Sequence, residues 1–117
     1  YVGNGKLILV DFWASWCGPC RRAIPYIRDV YTKYAGEKFD ILSVAVWDNR
    51  ELSIEAINEL DMPWNHIVDA ESIPTDIYGI DGIPHIMLIG PDGKIIARGI
   101  YDSALDLWVK TELQKLD

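Results

Sequence analysis

The stretch Lys6-Leu7-Ile8-Leu9-Val10-Asp11-Phe12 is nearly continuous in apolar, mostly branched side chains. A strand with one wet face alternates apolar and polar residues; a run without alternation fits a strand covered on both faces, at the centre of a sheet packed between helices. A second such run, Phe39 to Val46, follows a segment whose apolar positions Ala23, Ile24, Ile27, Val30, Tyr31 and Tyr34 repeat at helical spacing. Pro25 is expected to kink that helix and Gly36 to end it. Two covered strands joined by a helix make a parallel pair.

The remainder completes the pattern. Asp48 with Glu51 three residues later suits a capping box for a helix to about Leu60. Pro63 to Ser72 reads as irregular, and Pro74 to Tyr78 as a short helix stopped by Gly79. Ile86 to Ile89 and Ile95 to Ile100 flank Gly90-Pro91-Asp92-Gly93, a tight turn between antiparallel strands. Asp102 or Ser103 can cap a last helix that carries Leu105, Trp108, Val109, Leu113 and Leu116 toward the sheet. The expected order is β-α-β-α-β-β-α, an α/β fold with a central mixed sheet of about four strands and helices on both faces. The 117 residues, without repeat or linker, read as a single domain spanning 1–117.

Charge and hydropathy exclude two classes of partner. Eleven Lys and Arg face eighteen acids, a formal charge of -7, so no basic face is available for a phosphate backbone and nucleic acid is not expected. The apolar runs Leu7 to Val10 and Ile86 to Ile89 are far too short for a membrane span. No charged-then-apolar segment opens the chain, so any export signal would lie upstream or have been removed.

The two cysteines both lie in Trp13-Ala14-Ser15-Trp16-Cys17-Gly18-Pro19-Cys20. A structural zinc site needs four ligands, and only His66 and His85 are left as nitrogen donors, at the wrong spacing for a finger; no metal is expected. A purely structural disulfide closing so short a loop would remove little entropy from the unfolded chain. A reactive pair has a physical cause at each position. Strand, loop and helix in that order place the Cys17 sulfur, expected to be exposed, beside unpaired N–H groups and the positive end of the helix dipole, which favours its thiolate. Cys20, one turn further in, is expected to be buried and protonated. Gly18 and Pro19 fix the spacing, and Pro in the first turn loses no hydrogen bond. Trp16 fits a contact surface and Trp13 the core. Asp11 is either a buried acid and nothing more, or a proton acceptor for Cys20 with its pKa raised by desolvation. Arg21 and Arg22 read as solvating the helix flank, and His66 as a surface or satisfied residue. A non-enzymatic binding module with incidental cysteines would require Cys17 to be inert.

Val10 to Cys20 resembles the active-site segment of thioredoxin, and Pro25 matches the kink position of that family. From Lys6 to Leu116 the chain more closely resembles the envelope-associated TlpA/ResA-like branch of bacterial thiol-disulfide oxidoreductases, in which a Gly-Ile-Pro segment, here Gly82-Ile83-Pro84, precedes a strand and a Pro-Asp-Gly turn. The resemblance implies a thioredoxin fold with a cis peptide at Ile83-Pro84 near the cysteines. It implies exchange of the Cys17/Cys20 dithiol with cysteine-containing protein substrates, an upstream thiol reductant, no cofactor, and a periplasmic or cell-envelope location. Substrate would meet Trp16, Gly18, Pro19, Ile83 and Pro84. The Cys-Gly-Pro-Cys loop resembles the reducing members.

Three departures qualify the match. The strand and helix that open a full thioredoxin are absent, as in a fragment of a longer chain. Val44 stands where thioredoxin has a lysine, which would leave Asp11 to water. His85 follows Pro84 where the family commonly has Thr, placing a protonatable ring beside the groove. A thiol peroxidase on the same fold is the alternative, but its Pro-x-x-x-Thr/Ser-x-x-Cys pattern needs Pro where Val10 stands.

Overall fold

The computed structural model describes residues 3–116. Strand β1, Leu7–Trp13, is buried at all seven positions. It pairs in parallel with β2, Phe39–Ala45, and antiparallel with β4, His85–Ile89, so both its edges and both its faces are covered. Helix α1, Gly18–Tyr34, makes the crossover from β1 to β2, with Pro25 inside it. Then follow α2 (Arg50–Leu60), β3 (Asn65–Ile67), α3 (Ile73–Tyr78), β4, β5 (Ile95–Arg98) and α4 (Ala104–Lys115). The sheet order is β3-β2-β1-β4-β5, one strand more than the sequence suggested.

The extra strand is β3, inside the segment expected to be irregular. It has three residues, Asn65, His66 and Ile67, paired in parallel with Leu42, Ser43 and Val44. Its side chains carry no apolar run; they are held by polar contacts, Asn65 Nδ2 donating to Asp40 Oδ2 at 3.0 Å and the His66 ring 2.9 Å from the Met62 carbonyl through Nε2.

Alternation along β1 divides the core. Leu7, Leu9 and Trp13 pack with Cys20, Ile24 and Ile27 of α1, Ala56 of α2, and Leu105 and Val109 of α4. Ile8, Val10 and Phe12 lie on the other face with Leu42, Val44, Met87 and Ile89, where α3 contributes Tyr78. The helices are therefore distributed unequally, three on the cysteine side and the six-residue α3 on the other.

Two helix expectations change. The N-cap of α2 is Asn49, whose Oδ1 accepts from Glu51 N and Leu52 N at 2.9 and 3.3 Å, which releases Asp48 for other contacts. In α4 the inward row is Leu105, Val109 and Leu113, at i, i+4 and i+8, whereas Trp108 and Leu116 are 37% and 39% exposed. Ser103 sits at the N-cap of α4 without a side-chain hydrogen bond; the backbone bond from Leu105 N to Asp102 O closes that end at 3.2 Å. The β4–β5 turn is as expected, with Gly93 at φ +86°, where its absent Cβ would come within 3.2 Å of the Gly3 Cα.

The phase of α4 is directly testable. Leu105→Ala, at a fully buried site, should lower unfolding free energy by about 2–5 kcal/mol, and Leu116→Ala by no more than roughly 1 kcal/mol, in urea titrations. Equal losses would place α4 in the orientation read from the sequence.

Candidate active site

The C-terminal end of β1 delivers the chain into residues 14–17 and then into α1. Cys17 is the N-cap, with extended backbone (φ -86°, ψ 105°), and its Sγ accepts from Cys20 N at 3.1 Å. Its carbonyl accepts from Arg21 N at 3.1 Å, the first bond of the helix, and its own N–H donates to Ala14 O at 3.2 Å. Pro19 falls in the first turn, where the missing donor is not needed. Cys17 and Cys20 are joined in a disulfide, their Cα atoms 5.2 Å apart. The first turn of a 17-residue helix thus sets the Cys20 N–H and the positive end of its dipole against the Cys17 sulfur.

Both cysteines are buried, Cys17 at 4% and Cys20 at 1% exposure, so the exposed sulfur expected for Cys17 is not observed. The segment before β4 lies against it: the Ile83–Pro84 peptide is cis, and the Ile83 carbonyl oxygen is 3.8 Å from Cys17 Sγ. In the bonded pair this is a contact only, because the sulfur carries no proton. Trp16 is 61% exposed, Pro19 is exposed, and Gly18, Ile83 and Pro84 are half-buried. The Tyr101 hydroxyl donates to Pro84 O at 3.2 Å, and Tyr101, Pro84, Pro19 and Arg22 line an open cleft beside the pair.

Asp11 is 1% exposed and shares the α1 side of β1 with Leu9 and Trp13. It is not left to water. Its cross-strand neighbour is Ser43, whose Oγ donates to Asp11 Oδ2 at 2.8 Å, and Trp64 Nε1 donates to Ser43 Oγ at 2.8 Å. Val44, the position compared with the thioredoxin lysine, lies opposite Phe12 and joins the other face. Burial raises the Asp11 pKa to about 7, against the opposing effect of the Ser43 hydrogen bond. The carboxyl therefore exchanges its proton near neutral pH.

His85 departs from expectation. Its strand position puts it with Met87 and Ile89 on the face away from α1, its ring centroid 6.3 Å from that of Phe12. Burial, and then the charge of Arg98, push its pKa below the ordinary histidine value, so the ring is neutral at neutral pH. Arg98 Nε lies 3.4 Å from His85 Nε2. His66 is half-buried, bonded to Met62 O through Nε2, and also shifted down by burial.

Sequence reasoning missed Ser15, Asp48 and the contact of Arg21. Asp48 accepts from Ser15 N at 2.7 Å and Ser15 Oγ at 3.0 Å, while Arg21 Nε donates to Ser15 O at 2.7 Å. Parallel strands in register end side by side, so the loops that follow Trp13 and its partner Ala45 must meet. A short hydroxyl in one and an acid in the other was the available signal.

The raised Asp11 pKa sets the sign of a pH effect. Below about pH 4 the group is protonated folded and unfolded and adds no penalty; as pH rises toward 7 only the unfolded chain ionises freely, and the fold loses stability. The two pKa values differ enough to correspond to about 4 kcal/mol above pH 7. Asp11→Asn should therefore stabilise the protein at pH 8 by up to about 4 kcal/mol and by little at pH 4, in urea titrations across that range. A gain independent of pH would contradict the assignment.

The geometry has counterparts in known proteins. Residues 4–95 match the family model described as thioredoxin-like. The thiol-disulfide oxidoreductase ResA of Oceanobacillus iheyensis is 34% identical over 105 residues, which are 89% of this chain and 53% of that protein. The chain thus spans about half the length of the curated relatives it matches. Among solved structures, the thioredoxin domain of a thiol-disulfide oxidoreductase from Bacteroides vulgatus superimposes with a TM-score of 0.84 at 32% identity, covering 92% of this chain and 79% of that one. A thiol:disulfide interchange protein from Bacteroides sp. gives a TM-score of 0.84 at 33% identity, covering 95% and 75%. With the cysteine pair at the head of α1 and the cis-proline beside it, these matches make the chain a member of the thioredoxin-like family.

Proposed function

We propose that this domain reduces disulfides in protein substrates. The observation that carries the reading is the Cys17–Cys20 pair at the N-terminus of α1, with the Cys17 sulfur facing the carbonyl of Ile83 next to a cis-proline. In the reduced form the Cys17 thiolate attacks one sulfur of a substrate disulfide; that bond breaks, its electron pair leaves on the other substrate sulfur, and a mixed disulfide forms. Cys20, losing its proton to Asp11, attacks Cys17 Sγ and releases the second substrate thiolate. Two electrons have passed to substrate, and the domain is left with the bonded pair. An upstream dithiol reductant restores it.

Supporting groups follow from their places. A proton acceptor with a pKa of about 7 suits a thiol that must ionise only when its turn comes. Trp16, Gly18 and Pro19 adjoin Cys17 along the chain and the Ile83 carbonyl, next to Pro84, faces its sulfur; an extended substrate segment would lie across these five residues, pairing with the backbone beside the cis-proline. The reducing direction is supported by the Cys-Gly-Pro-Cys sequence. A location in the cell envelope is supported by the TlpA/ResA-like resemblance; no helix among the described residues is long and apolar enough to cross a membrane.

Mixed-disulfide trapping tests the roles. Cys20→Ser should accumulate covalent complexes with disulfide-containing proteins such as insulin, and Cys17→Ser should not, on non-reducing gels. Equal trapping by the two variants would refute the order of attack. The equilibrium of the pair with glutathione tests the direction, since a strongly oxidising potential would contradict a reductase.

A further inference from the structure

The loop that carries Cys17 is clasped by a second loop. Residues 46–48, after β2, run beside residues 13–16, which begin with the last residue of β1. Val46 N donates to Trp13 O at 2.9 Å, and Trp16 Nε1 donates to Trp47 O at 2.9 Å. Asp48 takes both donors of Ser15, and further accepts from Ser53 Oγ at 2.8 Å and Asn49 N at 2.9 Å. Four donors therefore converge on one carboxylate. Arg21 takes the third polar group of Ser15, its carbonyl, and reaches Glu59 of α2 at 3.3 Å. Trp47 holds a left-handed backbone (φ +52°), a strained conformation for so bulky a residue that persists only where the surroundings impose it.

We propose that Asp48 is a positioning residue for Cys17: by gripping Ser15 it keeps Cys17 at the N-cap of α1, with Sγ on the Cys20 N–H, when the disulfide is open. In the bonded state the covalent link already holds the two residues together. Reduction removes that link, and the clasp is what remains to fix a loop with no regular secondary structure of its own. The inference rests on the reading of Cys17 as the attacking thiolate. Burial pushes the Asp48 carboxyl up, but the bonds from Ser15, Ser53 and Asn49 outweigh it and hold the group below the usual carboxylate range, so it stays an ionised, strong acceptor.

Position and charge act in opposite directions here. A nearby anion by itself disfavours a thiolate, whereas a maintained N-cap favours it. Other charged groups around Cys17 are Asp11 on β1, Arg21 and Arg22 on α1, Glu59 on α2 through Arg21, and Asp102 across the cleft; His85 and Arg98 belong to the far side of β4 and β5. These are unchanged by substitution at Asp48.

The experiment is the pH profile of Cys17 alkylation by iodoacetamide in the reduced protein, resolved from Cys20 by mass spectrometry. Asp48→Ala should move the midpoint up toward the free-cysteine value of about 8.5 and slow alkylation at pH 7 by roughly threefold to tenfold. Asp48→Asn, which keeps one acceptor oxygen but turns an NH2 group toward two of the four donors, should shift the midpoint in the same direction by less than Asp48→Ala. If Asp48→Ala does not fold, Ser15→Ala carries the test, with a smaller shift in the same direction. An unchanged or lowered midpoint in the folded variant, even with reduced stability, overturns the proposal, because anchoring would then be structural only or the charge would dominate. A wild-type midpoint near about 8.5 would instead overturn the reading of Cys17 as activated, and the inference with it.

Discussion

Enclosure of β1 is the constraint on which the rest of the molecule depends. Every residue of that strand is buried, both edges are paired, and each face feeds a separate apolar cluster. A strand so enclosed has no freedom of register, because a slip by one residue would exchange Leu9 and Trp13 with Val10 and Phe12. Its C-terminal end therefore leaves the sheet at a fixed place and in a fixed direction. The cysteine pair sits at that exit, on the start of the helix that carries the chain back, and α1, α2 and α4 close over the same side.

The site combines groups from distant parts of the chain. Trp16 and the cysteines come from the loop and first turn after β1, Ile83 and Pro84 from the segment before β4, and Asp48 from the loop after β2. Apart from the first turn of α1, none of these segments is regular structure, yet each adjoins a buried strand. Rigidity reaches the chemistry through strand ends, and through hydrogen bonds between neighbouring loops.

Strands β1 and β2 were legible because apolar runs report burial on two faces, and the active pair because its spacing and its place before a helical pattern carry their own chemistry. Strand β3 was not, since Asn65, His66 and Ile67 have no apolar signal and are strand only through the edge of β2. The cap of α2 was misread by one residue because Asp48 and Asn49 are both good caps, and only the tertiary demand of Ser15 separates them. The partner of Asp11 was missed because comparison by position pointed to Val44, whereas cross-strand register selects Ser43. The burial of Cys17 depends on a cis-proline segment more than sixty residues away, which no local pattern contains.

The line from Trp64 through Ser43 to Asp11 has a direction. An indole N–H can only donate, so it occupies a lone pair of the serine oxygen; the one hydroxyl proton is committed to the carboxylate. Ser43 thus fixes the order of donors, from the segment leading into the edge strand β3 to the carboxyl at the centre of the sheet, and polarisation along the line is shared by both bonds. When Asp11 takes up a proton, the acceptor at the end of the line weakens and the indole at its start feels the change. The periphery of the sheet and its central acid form one electrical unit, although Asp11 and Trp64 are far apart in sequence.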